Sequence, residues 1–382
     1  MICITFILAR MKFETLAVHA GAEPDPATAA LAPPIHLSTT FQHAPDGAAL
    51  HGFTYVRDGN PTQSRLEESL AAIDSAAAAL AFASGMAASA ALLQSLPRGA
   101  HVLIPEDGYY AVRALARDYF PRWGLEHDLV PMDDVDAVRA KVRDTTRVLW
   151  AESPSNPLMK ICDLGALAEL AHGRGAMLVV DGTFATPALQ RPIEFGADAV
   201  MHSMTKYLGG HSDVQGGSIA FKERGALFEA VEHTRTIVGG VASPFNCWLI
   251  LRGIRSLAAR MRVHSSNARA VAEFLAQHPA VEVVHYPALP SHPGHEIAKR
   301  QMSDFSGMLS FRMKSGREAA IALTGKLNVF KCATSLGGVE SLIEHRASSE
   351  GPGSTTPQNL LRVSVGLEHP DDLIDDLRQA LG

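Results

Sequence analysis

The feature that most constrains this chain is an alternation of short apolar runs with amphipathic helical stretches through its middle. Arg147-Val148-Leu149-Trp150 reads as a buried strand. Asp163 then offers a cap to a helix carrying Leu164, Leu167 and Leu170, which Gly173 or Gly175 ends, and Met177-Leu178-Val179-Val180 is the next strand. Two apolar strands around one amphipathic helix make a βαβ unit. Such a unit requires a mostly parallel sheet with helices covering both faces. Residues 197–201 and 217–221 supply further strands, and Leu80-Ala81-Phe82-Ala83 before Ser84-Gly85-Met86 and an alanine-rich stretch reads as strand, tight turn, helix.

The flanks differ in texture. Residues 12–60 are rich in Pro, Gly, Ser and Thr and read as an extended arm with little helix, closed by the breakers Gly59-Asn60-Pro61. After about residue 240 comes a long helical stretch with Leu249, Leu251, Ile254 and Leu257. Strands near 281–285 and 308–311 follow, and a helix over 371–381 ends the chain. The expected organisation is therefore an arm over 1–60, a large cofactor-binding domain over 61–240 and a smaller α/β domain over 241–382. Residues 1–10 are apolar but far shorter than the ~20 residues that span a bilayer. They also lack the basic start and cleavage site of a secretory signal, so they read as an upstream extension before a start at Met11.

Charge and composition narrow the function. Lys and Arg total 34 against 40 Asp and Glu, a net charge of −6 with no basic run, which speaks against nucleic acid or an anionic membrane as partner. Cys3, Cys162, Cys247 and Cys332 are scattered and form no CxxC pair, so a reducing, cytoplasmic setting is expected rather than a disulfide framework. His292-Pro293-Gly294-His295 lies in a Pro/Gly loop with no second ligand pair, and no metal site is expected.

In open α/β sheets ligands sit beyond the carboxyl ends of the strands, so the residues that follow each strand matter most. Asp181 follows 177–180, His202-Ser203-Met204-Thr205-Lys206 follows 197–201, and Ser84-Gly85-Met86 opens a helix after 80–83. Singly these are a turn former, a surface lysine and a packing glycine. No GxGxxG or P-loop is present, so a dinucleotide or nucleoside triphosphate has no support. Together they meet the needs of pyridoxal phosphate: a lysine for a Schiff base, a carboxylate for the pyridine nitrogen, and a phosphate cup. Ser84, Gly85, Met86, Ser203 and Thr205 would form the cup from helix N-terminal amides and hydroxyls. Tyr109, just after a strand at 102–104, would stack on the ring.

These fragments, in this order, resemble the Cys/Met-metabolism, or trans-sulfuration, family of fold-type-I pyridoxal-phosphate enzymes. That family includes cystathionine γ-synthase, cystathionine γ- and β-lyases and methionine γ-lyase. The similarity runs from about residue 13 to the C-terminus. It rests on TLAVHAG at 15–21, Tyr55-Val56-Arg57 before Asn60-Pro61-Thr62, ESPSNP at 152–157, and Asp181-Gly182-Thr183. It continues through Ser203 to Tyr207, SLGGVESLI at 335–343, and Leu361 to Glu368. The resemblance implies Lys206 as Schiff-base lysine and proton carrier, Asp181 with Thr183 at the pyridinium, and Tyr109 on the ring. It implies that Asn156, Ser335 and Arg362 take the substrate's α-carboxylate, a bidentate task suited to arginine. Tyr55 and Arg57 would reach the phosphate of a neighbouring subunit, which implies a homodimer or homotetramer with shared active sites.

The reaction expected from the resemblance is a carbon–sulfur lyase acting by γ- or β-elimination on cystathionine or a related sulfur amino acid. γ-Replacement on an O-acylhomoserine is the alternative, and an aminotransferase or a non-catalytic cofactor-binding protein ranks below both. Two departures from the family pattern bear on the substrate. Thr334 stands where members that grip a distal ammonium carry glutamate. His345-Arg346-Ala347-Ser348-Ser349-Glu350 replaces the usual HPA-x-MTH, and a gained Arg346 would favour an anionic distal group.

Overall fold

The computed structural model describes residues 11–351 and 354–382. The upstream extension expected at 1–10 lies outside them. The first sheet contains β1 (Ala78–Phe82), β2 (His101–Pro105), β3 (Glu126–Val130), β4 (Thr146–Glu152), β5 (Met177–Asp181), β6 (Ala199–Ser203) and β7 (Gly217–Phe221). Their order in space is β1-β7-β6-β5-β4-β2-β3. The run from β6 to β3 is parallel, and β7 is antiparallel to both its neighbours. The unit predicted around Asp163 is present: β4 and β5 pair in parallel, joined by the helix Leu164–His172, whose Ala166 N–H is capped by the Asp163 carboxylate at 3.1 Å.

Burial on both faces follows from the strand period of two. Val148 and Trp150 of β4, Val179 of β5 and Ala199 and Met201 of β6 enter one core. Leu149, Ala151, Leu178, Val180 and Val200 enter the other, against the helix Leu164–His172. The second sheet contains β8 (Val281–His285), β9 (Met308–Met313), β10 (Lys331–Cys332), β11 (Leu342–His345) and β12 (Leu360–Ser364), in the order β10-β11-β12-β9-β8. Its core includes Phe311, Ile343 and Val363, with Leu373 and Leu377 from the terminal helix Pro370–Leu381.

Two local expectations need correction. The arm is not wholly irregular: Phe13–His19 is a helix, because Phe13, Leu16 and Ala17 fall at i, i+3, i+4 and bury one stripe in the first core. The helical stretch after residue 240 is two helices, Pro244–Ile254 and Leu257–Gln277. The break follows a close backbone approach. A Cβ on Gly253 would lie 2.4 Å from the carbonyl oxygens of Leu208 and Gly209, so the first helix is pressed against the loop that follows Lys206. Pro244–Ile254 packs with Leu66, Leu70 and Ile73 in the core of the first sheet, and Leu257–Gln277 bridges to the second, where Ala268, Val271 and Leu275 are buried.

No helix among the described residues is long and apolar enough to cross a membrane. None of their His, Cys, Asp and Glu side chains form a group of three suited to a metal ion.

Candidate active site

The carboxyl ends of β4, β5 and β6 lie side by side, and the opening of the helix Gly85–Gln94 faces them. With residues from the second sheet they enclose a cavity of about 400 Å³. Ser84, Gly85, Met86, Tyr109, Asn156, Asp181, Thr183, Ser203, Thr205, Lys206, Thr334, Ser335 and Arg362 all line it, so the structure brings these sequence-predicted residues together. Tyr55 and Arg57 are not among them. Tyr55 is 44% exposed, and the Arg57 guanidinium donates to the Thr236 carbonyl at 2.8 Å, away from this cavity.

At one end the Ser84 hydroxyl caps Ala87 N–H at 3.0 Å, and the amides of Gly85 and Met86 belong to the first turn, where no intrahelical acceptor exists. Ser203 stands opposite: a Cβ on Gly85 would lie 3.0 Å from the Ser203 Cβ, so only glycine leaves room there. The Thr205 hydroxyl is held by the Gly216 backbone, donating to its carbonyl at 3.2 Å and accepting from its N–H at 3.1 Å. Helix-end amides and hydroxyls converging without a carboxylate make an anion cradle.

In the middle, Asp181 is only 5% exposed. It accepts the Thr183 N–H at 3.0 Å and has no lysine or arginine within salt-bridge reach among the described residues. Burial raises its pKa, opposed by the Thr183 bonds and by His202. Thr183 is fixed in turn, its hydroxyl accepting the Ser203 N–H at 2.9 Å. A buried carboxylate without a cation is costly, so the geometry suits a ligand that brings positive charge to Asp181.

Lys206 Nζ donates to the Ser335 hydroxyl at 2.7 Å. Burial pulls its pKa down to about 8, helped by Arg362 and Arg346 and opposed by Glu344. Ser335 has φ of 82°, a left-handed conformation that side chains other than glycine rarely adopt. Burial raises the Tyr109 phenol above its ordinary range, against the pull of Arg346 and Arg362. Arg362 donates to Asn156 Oδ1 at 3.1 Å, to the Ser335 carbonyl at 3.0 Å and to Glu344 Oε2 at 2.8 Å.

Sequence reasoning missed two features. Glu152 ends β4 as the register partner of Asp181, lines the cavity and accepts the Tyr109 N–H at 2.7 Å; burial, then Asp181, drives its pKa well up. It obeys the same strand-end rule that found Asp181, so the signal was there. Glu344, the bridge between Arg362 and Arg346, left no local signal. The expectation that Arg346 adds a free positive charge is overturned. Its guanidinium is buried and committed to Glu344 at 2.9 Å and Glu350 at 3.2 Å, so two carboxylates already balance it and Arg362.

A cation-seeking carboxylate, a buried amine of lowered pKa and an anion cradle fit pyridoxal phosphate at three points. With the two-domain α/β architecture they define a fold-type-I pyridoxal-phosphate enzyme. The chain belongs to the Cys/Met metabolism PLP-dependent enzyme family, whose model matches residues 14–382. It is 50% identical to cystathionine gamma-synthase of Mycobacterium tuberculosis over 96% of both chains. It is 41% identical to cystathionine beta-lyase of Coxiella burnetii over 97% of this chain and 98% of the relative. The crystal structure of metB from Corynebacterium glutamicum superposes with a TM-score of 0.96 at 41% identity, covering 98% of each chain.

The lowered Lys206 pKa has a kinetic consequence. Only the neutral amine captures an aldehyde, so the rate at which cofactor-free protein takes up pyridoxal phosphate should rise with pH, with a midpoint near 8. Arg362→Met removes the charge that most depresses this amine, after burial, and should move the midpoint upward. Stopped-flow appearance of the visible band across pH 6–10 (roughly two units either side of the expected midpoint) measures both.

Proposed function

We propose that this enzyme makes or breaks the carbon–sulfur bond of a cystathionine-type amino acid, with γ-replacement by a thiol as the leading reaction. The observation that carries the amino-acid reading is the placement of Lys206 Nζ on Ser335, whose own carbonyl accepts from Arg362. An α-carboxylate held by Arg362 and Asn156 thus brings its α-carbon beside the amine. Replacement is favoured over elimination by the relatives: those named cystathionine gamma-synthase or probable cystathionine gamma-synthase are 44–50% identical, whereas those named cystathionine beta- or gamma-lyase are 40–41% identical. Elimination is the second reading, supported by those same lyases.

When bound, pyridoxal phosphate supplies an electron sink for the charge left at the substrate's α-carbon. Ser84, Gly85, Met86, Ser203 and Thr205 would hold its phosphate, and Asp181, oriented by Thr183, would pair with its ring nitrogen. Tyr109, which lines the same cavity, would stack on its ring. Lys206, about half neutral near pH 8, takes the α-proton and delivers protons along the side chain. Tyr109, kept protonated by burial, acts there as a donor. Arg362, with Asn156 and Ser335, orients the carboxylate.

The reaction is tested by supplying cysteine with an O-acylated homoserine, and cystathionine alone in parallel. Replacement predicts that cystathionine accumulates faster than keto acid appears. Keto acid and thiol released chiefly from cystathionine would establish elimination, and neither product would defeat the carbon–sulfur reading.

Thr334 lines the cavity with no carboxylate to grip a distal ammonium. A charge-assisted hydrogen bond contributes about 1.5–3 kcal/mol, so Thr334→Glu should raise relative kcat/KM for cystathionine roughly ten- to a hundredfold over a substrate lacking that amine.

Tyr55 and Arg57, remote from their own chain's cavity, serve the phosphate of a partner subunit in this reading. Inactive Arg57→Ala and Lys206→Ala proteins, unfolded and refolded together, should regain activity, because hybrids contain one site with both residues intact. Absence of any recovery, with hybrids shown to form, would count against shared sites.

A further inference from the structure

One buried aspartate–histidine pair beneath the site has no part in the scheme above. His202 follows the register partner of Asp181 on β6, and its Nε2 lies 3.0 and 3.1 Å from the two carboxylate oxygens of Asp74 at the end of the helix Pro61–Ile73. Asp74 is fully buried and His202 almost so. The other edge of the imidazole lies against the backbone just after Asp181. A Cβ on Gly182 would sit 2.9 Å from His202 Cε1 and 3.4 Å from Nδ1, and Nδ1 is buried with no hydrogen-bond partner among the described residues.

We propose that the Asp74–His202 pair is a positioning device for Asp181, setting the orientation and charge with which that carboxylate meets the cofactor's ring nitrogen. The proposal rests on the assignment of Asp181 to that nitrogen. Asp74 lies in the protein interior with both its carboxyl oxygens against one imidazole nitrogen of His202, an arrangement that favours the protonated ring. The charged groups facing the ring are carboxylates from two elements, Asp74 from the helix and Asp181 from β5. They raise the His202 pKa against the opposing effect of burial. The third carboxyl group nearby, Glu152, is pushed well up by burial and then by Asp181.

The charge balance then closes. Two carboxylates and one imidazolium leave one negative charge, which a protonated ring nitrogen neutralises. His202 lowers the Asp181 pKa; without the proton that Asp74 favours on the imidazole, Asp181 would more readily take a proton itself, losing its hold on the pyridinium. Glycine at 182 is part of the device, since a Cβ there would press on the imidazole at 2.9 Å.

The test compares dissociation constants of the cofactor-free protein for pyridoxal phosphate and for the analogue whose ring nitrogen is replaced by CH, in wild type, His202→Gln and Asp74→Asn. Tryptophan fluorescence quenching reads binding without turnover. Wild type should prefer the natural cofactor by about tenfold or more, the equivalent of one pKa unit at the Asp181–nitrogen contact. Both variants should lose most of that preference while binding the analogue as wild type does. Asp74→Asn retains the imidazole and its packing, so it carries the test if His202→Gln does not fold. Equal weakening towards both ligands, or failure of both variants to fold, would make the pair structural and overturn the proposal. No preference in wild type would instead remove the Asp181 assignment, a separate failure.

Discussion

The site depends on one constraint: charged groups are buried at the carboxyl edge of a parallel sheet, and each must find an opposite charge or give up its own. Glu152 and Asp181 end adjacent strands in register. Two carboxylates so placed cannot both stay ionised cheaply, and burial raises both. Lys206 answers the same pressure in the opposite sense, its pKa pulled down to about 8. The chemistry of a cofactor enzyme, a base with an accessible free amine and a carboxylate that seeks a cation, thus follows from desolvation at strand ends.

The second sheet completes the site by supplying guanidinium groups. Arg362 on β12 reaches Asn156 in the loop after β4, and Ser335 reaches Lys206 after β6, so the two sheets meet through side chains that line the cavity. Neutral contacts reinforce that junction: the Ser310 hydroxyl donates to the Pro157 carbonyl at 2.7 Å, and Ser306 to the Phe184 carbonyl at 2.6 Å. Arg346 and Arg362 share Glu344, and Arg346 also binds Glu350. A network of this kind contributes little net stability, because desolvation offsets attraction, but it fixes where each guanidinium points. Arg362 therefore faces the cavity as a donor already oriented by its neighbours.

Legibility in the sequence divides along physical lines. The strands of the first sheet were visible because each is buried on both faces and reads as a short apolar run. Asp163 marked its helix start because capping is local. Lys206, Asp181 and Ser84 were found because each directly follows such a strand. The helix Phe13–His19 was obscured by the Pro- and Gly-rich residues beyond it, and the break before Leu257 by apolar residues that continue across it. Near its end that helix presses on the backbone of residues 208–209, a contact that no local pattern encodes.

From the sequence alone came the α/β class, the cofactor and the set of side chains that line one cavity, since strand period, helix caps and strand-end positions are properties of neighbouring residues. The tertiary structure decided which buried charge neutralises which. Arg346 looked like a free cation until Glu344 and Glu350 closed on it, and His202 looked like part of a lysine motif until Asp74, 128 positions away, was found against it. Charge pairing acts through space over a few ångströms, and the packing of distant elements sets those distances.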